Sequence, residues 1–267
     1  MNGCELIREA FALAKSERRC ALIPYLCAGD PDAETTALLL ATAGSTGADI
    51  LELGIPYGDP LADGPTIAAA AQRALDGGMS IEGALRLMAD ATAAGAPPIV
   101  AFTYLNPIVQ YGLERFADAL LSAGAAGAIV PDAPLEETGP IRAAFSPRGL
   151  ALPLLIAPTT PLERAAEIAE ASDAFLYLVS RLGVTGARRE PDFDWIDERV
   201  AELRERTSKP IAVGFGVGTA EHVRRIAAVA DGAIVGSALI DSYAGSRGED
   251  AALRAARFLE SLRAEAG

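Results

Sequence analysis

Histidine is nearly absent from this chain: His222 is the only one among 267 residues. It sits in Thr219-Ala220-Glu221-His222-Val223-Arg224-Arg225, a capped helix start crowded with charge, and reads as a surface helix residue. That argues against a Ser-His-Asp or Cys-His mechanism and against a histidine-rich metal centre. Proton transfer falls mainly to Asp, Glu, Tyr or Lys. Cysteine is scarce as well. Cys4, Cys20 and Cys27 are an odd set without metal-site spacing, and they fit a reducing cytoplasm better than a disulfide framework. Positive charge is short: 23 Lys and Arg stand against 36 Asp and Glu, a net charge of −13. Nucleic acid and anionic membranes call for clustered cations, so neither is an expected partner. Any phosphate site must rest mostly on backbone donors or isolated cations. No apolar run reaches the length of a membrane-spanning helix. The charged stretch from Met1 to Arg19 reads as an amphipathic helix, not a signal peptide.

What the chain does contain is regular alternation. Hydrophobic residues make up 51% and charged residues 22%, the balance of a globular protein with a sizeable core. After an opening helix over Glu5–Lys15 come eight short apolar runs: Ala21–Cys27, Ile50–Ile55, Ile99–Tyr104, Gly127–Val130, Ala151–Ile156, Ala174–Val179, Pro210–Gly214 and Gly232–Val235. Longer helical patterns separate them, and a last helix covers Asp250–Ala264. Eight βα units without a linker or composition shift predict one α/β domain over residues 1–267, a (β/α)₈ barrel with an extra N-terminal helix. An open doubly wound sheet is the alternative. Connections into the strands are short. Those leaving the second and sixth runs, Pro56–Pro65 and Ser180–Asp194, are long and rich in Gly, Pro and charge. Barrel chemistry gathers at this C-terminal end of the strands.

The second run carries a carboxylate. Ile50, Glu52 and Gly54 share one face of the strand, and Leu51, Leu53 and Ile55 share the other. Helices cover the aliphatic face, so Glu52 points into the packed interior. A buried carboxylate has its pKa raised, as a general acid near neutral pH requires. Asp59 and Asp63 follow in the loop, with Tyr57 and Tyr177 near them in a barrel. Asp59-Pro60 and Asp63-Gly64-Pro65 are also turn sequences, and Asp63 stands where a helix cap belongs. A second constellation is glycine at the ends of three consecutive strands: Gly183 and Gly186, then Gly214, Gly216 and Gly218, then Gly236 before Ser237. Barrels hold phosphate between the loops after strands seven and eight, and Ser237–Asp241 reads as a short helix there. Val213–Gly218 lacks the spacing and acidic partner of a dinucleotide fingerprint. Arg181–Asp194 reads as a lid. These residues describe a barrel enzyme for a phosphorylated small molecule with carboxylate acid/base chemistry, and do not name the substrate.

The order of motifs resembles the tryptophan synthase alpha-subunit family from about Phe11 to Ala244. The motifs are Leu22-Ile23-Pro24-Tyr25 with Ala28-Gly29-Asp30-Pro31, the run Leu51–Ile67, Tyr104 with Asn106-Pro107, Pro131-Asp132 with Pro134–Glu137, Ser180-Arg181 with Gly183–Gly186, and Gly214–Gly216 with Gly236-Ser237. The resemblance implies a carbon–carbon lyase that cleaves indole-3-glycerol phosphate to indole and glyceraldehyde 3-phosphate, without metal or cofactor in this chain. It implies that Asp63 binds the indole N–H, that Glu52 is the mobile acid/base, and that Tyr177 sits beside the reacting groups. Gly186, Gly216, Gly236 and Ser237 would hold the phosphate. Tyr25, Phe102, Ile129 and Thr185 would line or gate the indole pocket. It further implies a cytoplasmic alpha2beta2 complex with a beta subunit that carries pyridoxal phosphate (PLP), met by Leu53–Pro60, Asn106–Tyr111 and Pro131–Glu137. Gly58, Cys27 and Leu105 depart from the family's usual residues without removing a catalytic group. A stand-alone lyase releasing indole, a non-catalytic phosphate-binding subunit, and an isomerase or aldolase of another sugar phosphate are the alternatives. Lys209, at the start of the seventh run, is on the wrong face for a Schiff-base aldolase.

Overall fold

The computed structural model describes residues 1–61, 63–180 and 191–267. Every apolar run forms a parallel strand: β1 (Ala21–Cys27), β2 (Leu51–Gly54), β3 (Ile99–Phe102), β4 (Gly127–Ile129), β5 (Leu154–Ile156), β6 (Leu176–Val179), β7 (Ile211–Gly214) and β8 (Gly232–Val235). They hydrogen-bond in the order β4-β3-β2-β1-β8-β7-β6-β5. The two ends meet at a bridge between Gly127 and Ala151. There the Ala128 N–H donates to the Ala151 carbonyl at 3.0 Å and the Ala151 N–H to the Ala126 carbonyl at 2.9 Å. The sheet is therefore a nearly closed barrel, and the open doubly wound alternative is set aside. Strands buried on both faces read as unbroken apolar runs, which is why the sequence marks them so clearly.

The helices are α1 (Gly3–Ser16), α2 (Ala33–Ser45), α3 (Pro65–Asp76), α4 (Ile81–Ala93), α5 (Leu105–Tyr111), α6 (Leu113–Ser122), α7 (Thr138–Phe145), α8 (Leu162–Ala171), α9 (Phe193–Arg204), α10 (Ala220–Ala227), α11 (Ser237–Ser242) and α12 (Gly248–Arg263). Helix α1 is set by a capping box in which Asn2 and Glu5 satisfy each other's backbone N–H. It buries Ile7, Phe11 and Ala14, and the Phe11 ring meets Phe175, just before β6, with centroids 5.5 Å apart. Helix α3 begins at Pro65, because proline suits the first helical position. The segment 106–111 is helical: Pro107 falls in the first turn of α5, where no N–H is needed. The expected short helix after β8 is α11. Below the barrel, Arg19 grips Asp49 with two bonds of 2.7 Å, and Asp49 also accepts the Leu22 N–H at 2.8 Å. No described helix is long and apolar enough to cross a membrane.

Candidate active site

The C-terminal mouth of the barrel holds a cavity lined by residues from β1, β2, β3, β6 and β8 and from the loops that follow β2, β7 and β8. Glu52, Asp63, Tyr25, Phe102, Tyr177, Gly216, Gly236 and Ser237 all reach it. The period-two reading of β2 is thus correct in its consequence: Glu52 is 1% exposed and faces the interior. Its Oε1 has no hydrogen-bond partner among the described residues. Burial alone pushes its carboxyl up to about 8. Asp63, on the loop before α3, is partly exposed. Burial raises it and outweighs the hydrogen bond from the Tyr104 hydroxyl that lowers it, leaving it at about 6. Two carboxyl groups of one cavity are therefore held apart: near pH 7 Glu52 keeps its proton and Asp63 is mostly ionised.

Two tyrosines frame these groups, each resting on a glycine of the next strand. A Cβ on Gly54 would lie 2.1 Å from the Tyr25 hydroxyl, and one on Gly214 would lie 2.5 Å from the Tyr177 hydroxyl. Only a bare backbone admits the rings. Tyr25 meets Phe102 edge to face at 5.7 Å, and Tyr177 meets Phe215 in the same manner at 5.7 Å. Burial holds both phenols well above their ordinary pKa, and the negative field of Asp63 adds to this at each. At the other end of the cavity the backbone turns sharply. Phe215 and Gly216 have φ of 69° and 100°, and the Ser180 hydroxyl bonds the Phe215 carbonyl. The left-handed conformation at Phe215 is uncommon for a residue with a side chain, and marks a constrained site. Thr66, at the start of α3, bonds Asp241 of α11 at 3.3 Å, linking the Asp63 side of the mouth to the Gly236 side.

Ile129 is different. It is fully buried in β4, in register with Phe102, and is not part of the cavity wall. Gly183, Thr185 and Gly186, with the lid expected around them, lie outside the described residues. Asp59 is exposed on its loop and does not line the cavity. Ile67, Phe215, Val217 and Ile234 complete the wall. Sequence reasoning did not assign them, because an apolar residue facing a pocket has the same local pattern as one facing the core. His222 keeps to the surface reading: its ring packs on Phe193 and its Nδ1 accepts the Gly218 N–H at 3.3 Å. Lys209 is far from this chemistry. Its Nζ donates to the carbonyls of Ala169, Glu170 and Ser172 at the end of α8.

Loops on the same rim are knitted together. Asn106 donates to the Tyr57 hydroxyl at 2.7 Å, and the Leu105 N–H donates to Asp132 at 2.9 Å. Leu61 and Val109 are 71% and 57% exposed beside them.

The whole chain has known relatives. The family model described as tryptophan synthase alpha chain matches residues 11–265. The tryptophan synthase alpha chain of Prochlorococcus marinus is 48% identical over 267 residues, covering 100% of this chain and 97% of that protein. That of Arabidopsis thaliana is 44% identical over 94% of this chain and 92% of its own length. Among solved structures, a tryptophan synthase chain of Mycobacterium tuberculosis superimposes with a TM-score of 0.90 at 35% identity, covering 97% of both chains. With the barrel, the paired carboxylates and the glycine-rich strand ends in place, these full-length matches show that the chain belongs to the tryptophan synthase alpha-chain family.

Proposed function

We propose that the chain performs the reaction of its family, cleavage of indole-3-glycerol phosphate to indole and glyceraldehyde 3-phosphate, with Glu52 and Asp63 dividing the proton chemistry. The observation that carries this reading is the inequality of the two carboxyl groups in one cavity, about 8 against about 6. Breaking the carbon–carbon bond requires a proton on indole C3 and loss of a proton from the hydroxyl of the attached carbon. Glu52 starts protonated and gives its proton to C3. Ionised Asp63 accepts the ring N–H and offsets the positive charge that develops on the ring. The Glu52 carboxylate then takes the hydroxyl proton. The carbonyl forms, the electron pair of the broken bond returns to the ring, and Glu52 is protonated again. Tyr177 stands beside the reacting atoms. Gly216, Gly236 and Ser237, with Gly186, receive the phosphate through backbone N–H groups and one hydroxyl. Tyr25 and Phe102 bound the indole, and Thr185 closes over it.

The same reading gives the chain a PLP-carrying beta subunit as partner, in an alpha2beta2 complex, and no cofactor of its own. The rim formed by residues 53–60, 106–111 and 131–137 is the surface assigned to that partner. Exposed Val109 on this rim, and exposed Leu61 next in sequence to its first segment, support the assignment. The three cysteines are free, which favours a reducing, cytoplasmic setting. The test is indole release from indole-3-glycerol phosphate by the chain alone and with a family beta subunit. Slow release that the partner accelerates is the expected result. Fast release indifferent to the partner makes the chain a stand-alone lyase. No release, with phosphate ligands still bound, makes it a non-catalytic subunit.

A further inference from the structure

The polar atoms of the cavity divide by task, and one is left over. Under the reaction proposed above, Glu52 and Asp63 serve the reacting carbon, the hydroxyl and the ring nitrogen, and Tyr177 flanks them. The loops around Gly216 and Ser237 serve the phosphate. The Tyr25 hydroxyl serves none of these. The ring of Tyr25 reaches from β1 across Gly54 of β2 to stand edge-on to Phe102 of β3, so its hydroxyl rides over the glycine. Tyr25 is 6% exposed, and its small exposure belongs to the cavity it lines. Among the described residues its hydroxyl has no hydrogen-bond partner. Burial keeps the phenol protonated, so it is both donor and acceptor.

An unpaired hydroxyl in a wall shared with Phe102 and Ile67 is costly once water leaves. Unsubstituted indole offers it only a hydrocarbon edge. A ring that carries its own hydroxyl offers a partner. We propose that Tyr25 is a specificity-determining residue of the indole pocket, and that its hydroxyl receives a hydroxyl substituent on the benzo ring, extending the substrate class to hydroxyindole glycerol phosphates. A site that hydrogen-bonds a substituent separates it from an apolar group of similar size far better than an apolar pocket does. A neutral pair of this kind is worth about threefold to tenfold in relative kcat/KM.

The inference rests on the functional reading above, and the experiment separates the two. The reaction is run in the condensation direction with glyceraldehyde 3-phosphate. Indole, the hydroxyindoles substituted at ring carbons 4 to 7, and the matching methylindoles are compared in the parent and in Tyr25→Phe. The quantity read is the hydroxyl-to-methyl ratio of kcat/KM at each ring position, within each protein. The expected result is a ratio at one position that is about threefold or more higher in the parent than in Tyr25→Phe, with the other positions alike. Ratios that coincide in the two proteins at every position overturn the role of Tyr25. A parent that condenses indole while failing with every hydroxyindole does the same. A parent that does not condense indole itself overturns the functional reading and this inference with it.

Discussion

Glu52→Gln should make the protein more stable in alkaline solution while disabling it. Glu52 is buried with an unpartnered oxygen, and its carboxyl is raised from 4.5 to about 8. Between those values the folded protein holds a proton that the unfolded chain has released. Stability contributed by this group therefore falls as pH rises from about 4.5 to about 8, and levels off above that. At about 1.4 kcal/mol per pKa unit the full span sets a ceiling of about 5 kcal/mol. Glutamine keeps the shape and has no charge to lose. Its amide lacks partners at every pH, which costs about 1–3 kcal/mol but adds no slope. Unfolding entropy of about 2.1 cal/mol/K per residue, over 267 residues, gives about 0.56 kcal/mol/K. The difference in Tm, variant minus parent, should then grow by about 4–9 °C between pH 5 and pH 9. Thermal unfolding followed by circular dichroism across that range reads it directly. Other titrating groups, Asp63 among them, are shared and cancel in the difference. Parallel curves, or a gap that narrows with pH, would refute the claim that Glu52 is held neutral by burial.

Three further outcomes follow from the same geometry. The pH profile of kcat/KM should be a bell, rising through about 6 as Asp63 ionises and falling through about 8 as Glu52 loses its proton; a flat profile across both values would contradict the assigned roles. Asp49→Ala takes two hydrogen bonds from the largely buried Arg19 guanidinium, which keeps its pair with Glu17, and leaves the Leu22 N–H without its acceptor, at a cost of about 2–4 kcal/mol. The Tm should drop by about 4–7 °C, and an unchanged melt would show the pair to be dispensable. Gly54→Ala places a methyl group against the Tyr25 hydroxyl and drives the ring into the cavity, so KM for the substrate should rise by about tenfold or more; steady-state kinetics near parental values would show that the ring has another place to go.

Much of this was legible in the sequence for identifiable reasons. Strands buried on both faces give continuous apolar runs, so all eight were visible; β1 and β8 keep the bounds of their runs and the other six are trimmed. The inward aim of Glu52 follows from alternation along one strand. What was not legible depends on which strands are neighbours. The edge-to-face pair of Tyr25 and Phe102 exists because β1 and β3 flank a glycine of β2, and the hydrogen bond from Tyr104 to Asp63 joins two loops far apart in the chain. No local pattern separates Val217 and Ile234 from core residues. Ile129 carries the signature of a barrel strand and is spent on packing, not on the pocket.

The central claim is that buried Glu52 carries the proton that breaks the carbon–carbon bond. The most direct test is cleavage of indole-3-glycerol phosphate by Glu52→Gln, with binding of glycerol 3-phosphate titrated in the same preparation. The account predicts a loss of about 10²–10⁴ in rate or more with binding near the parental value. A variant that binds the phosphate and cleaves within about tenfold of the parent would contradict it, since no proton on the amide has the acidity the step requires.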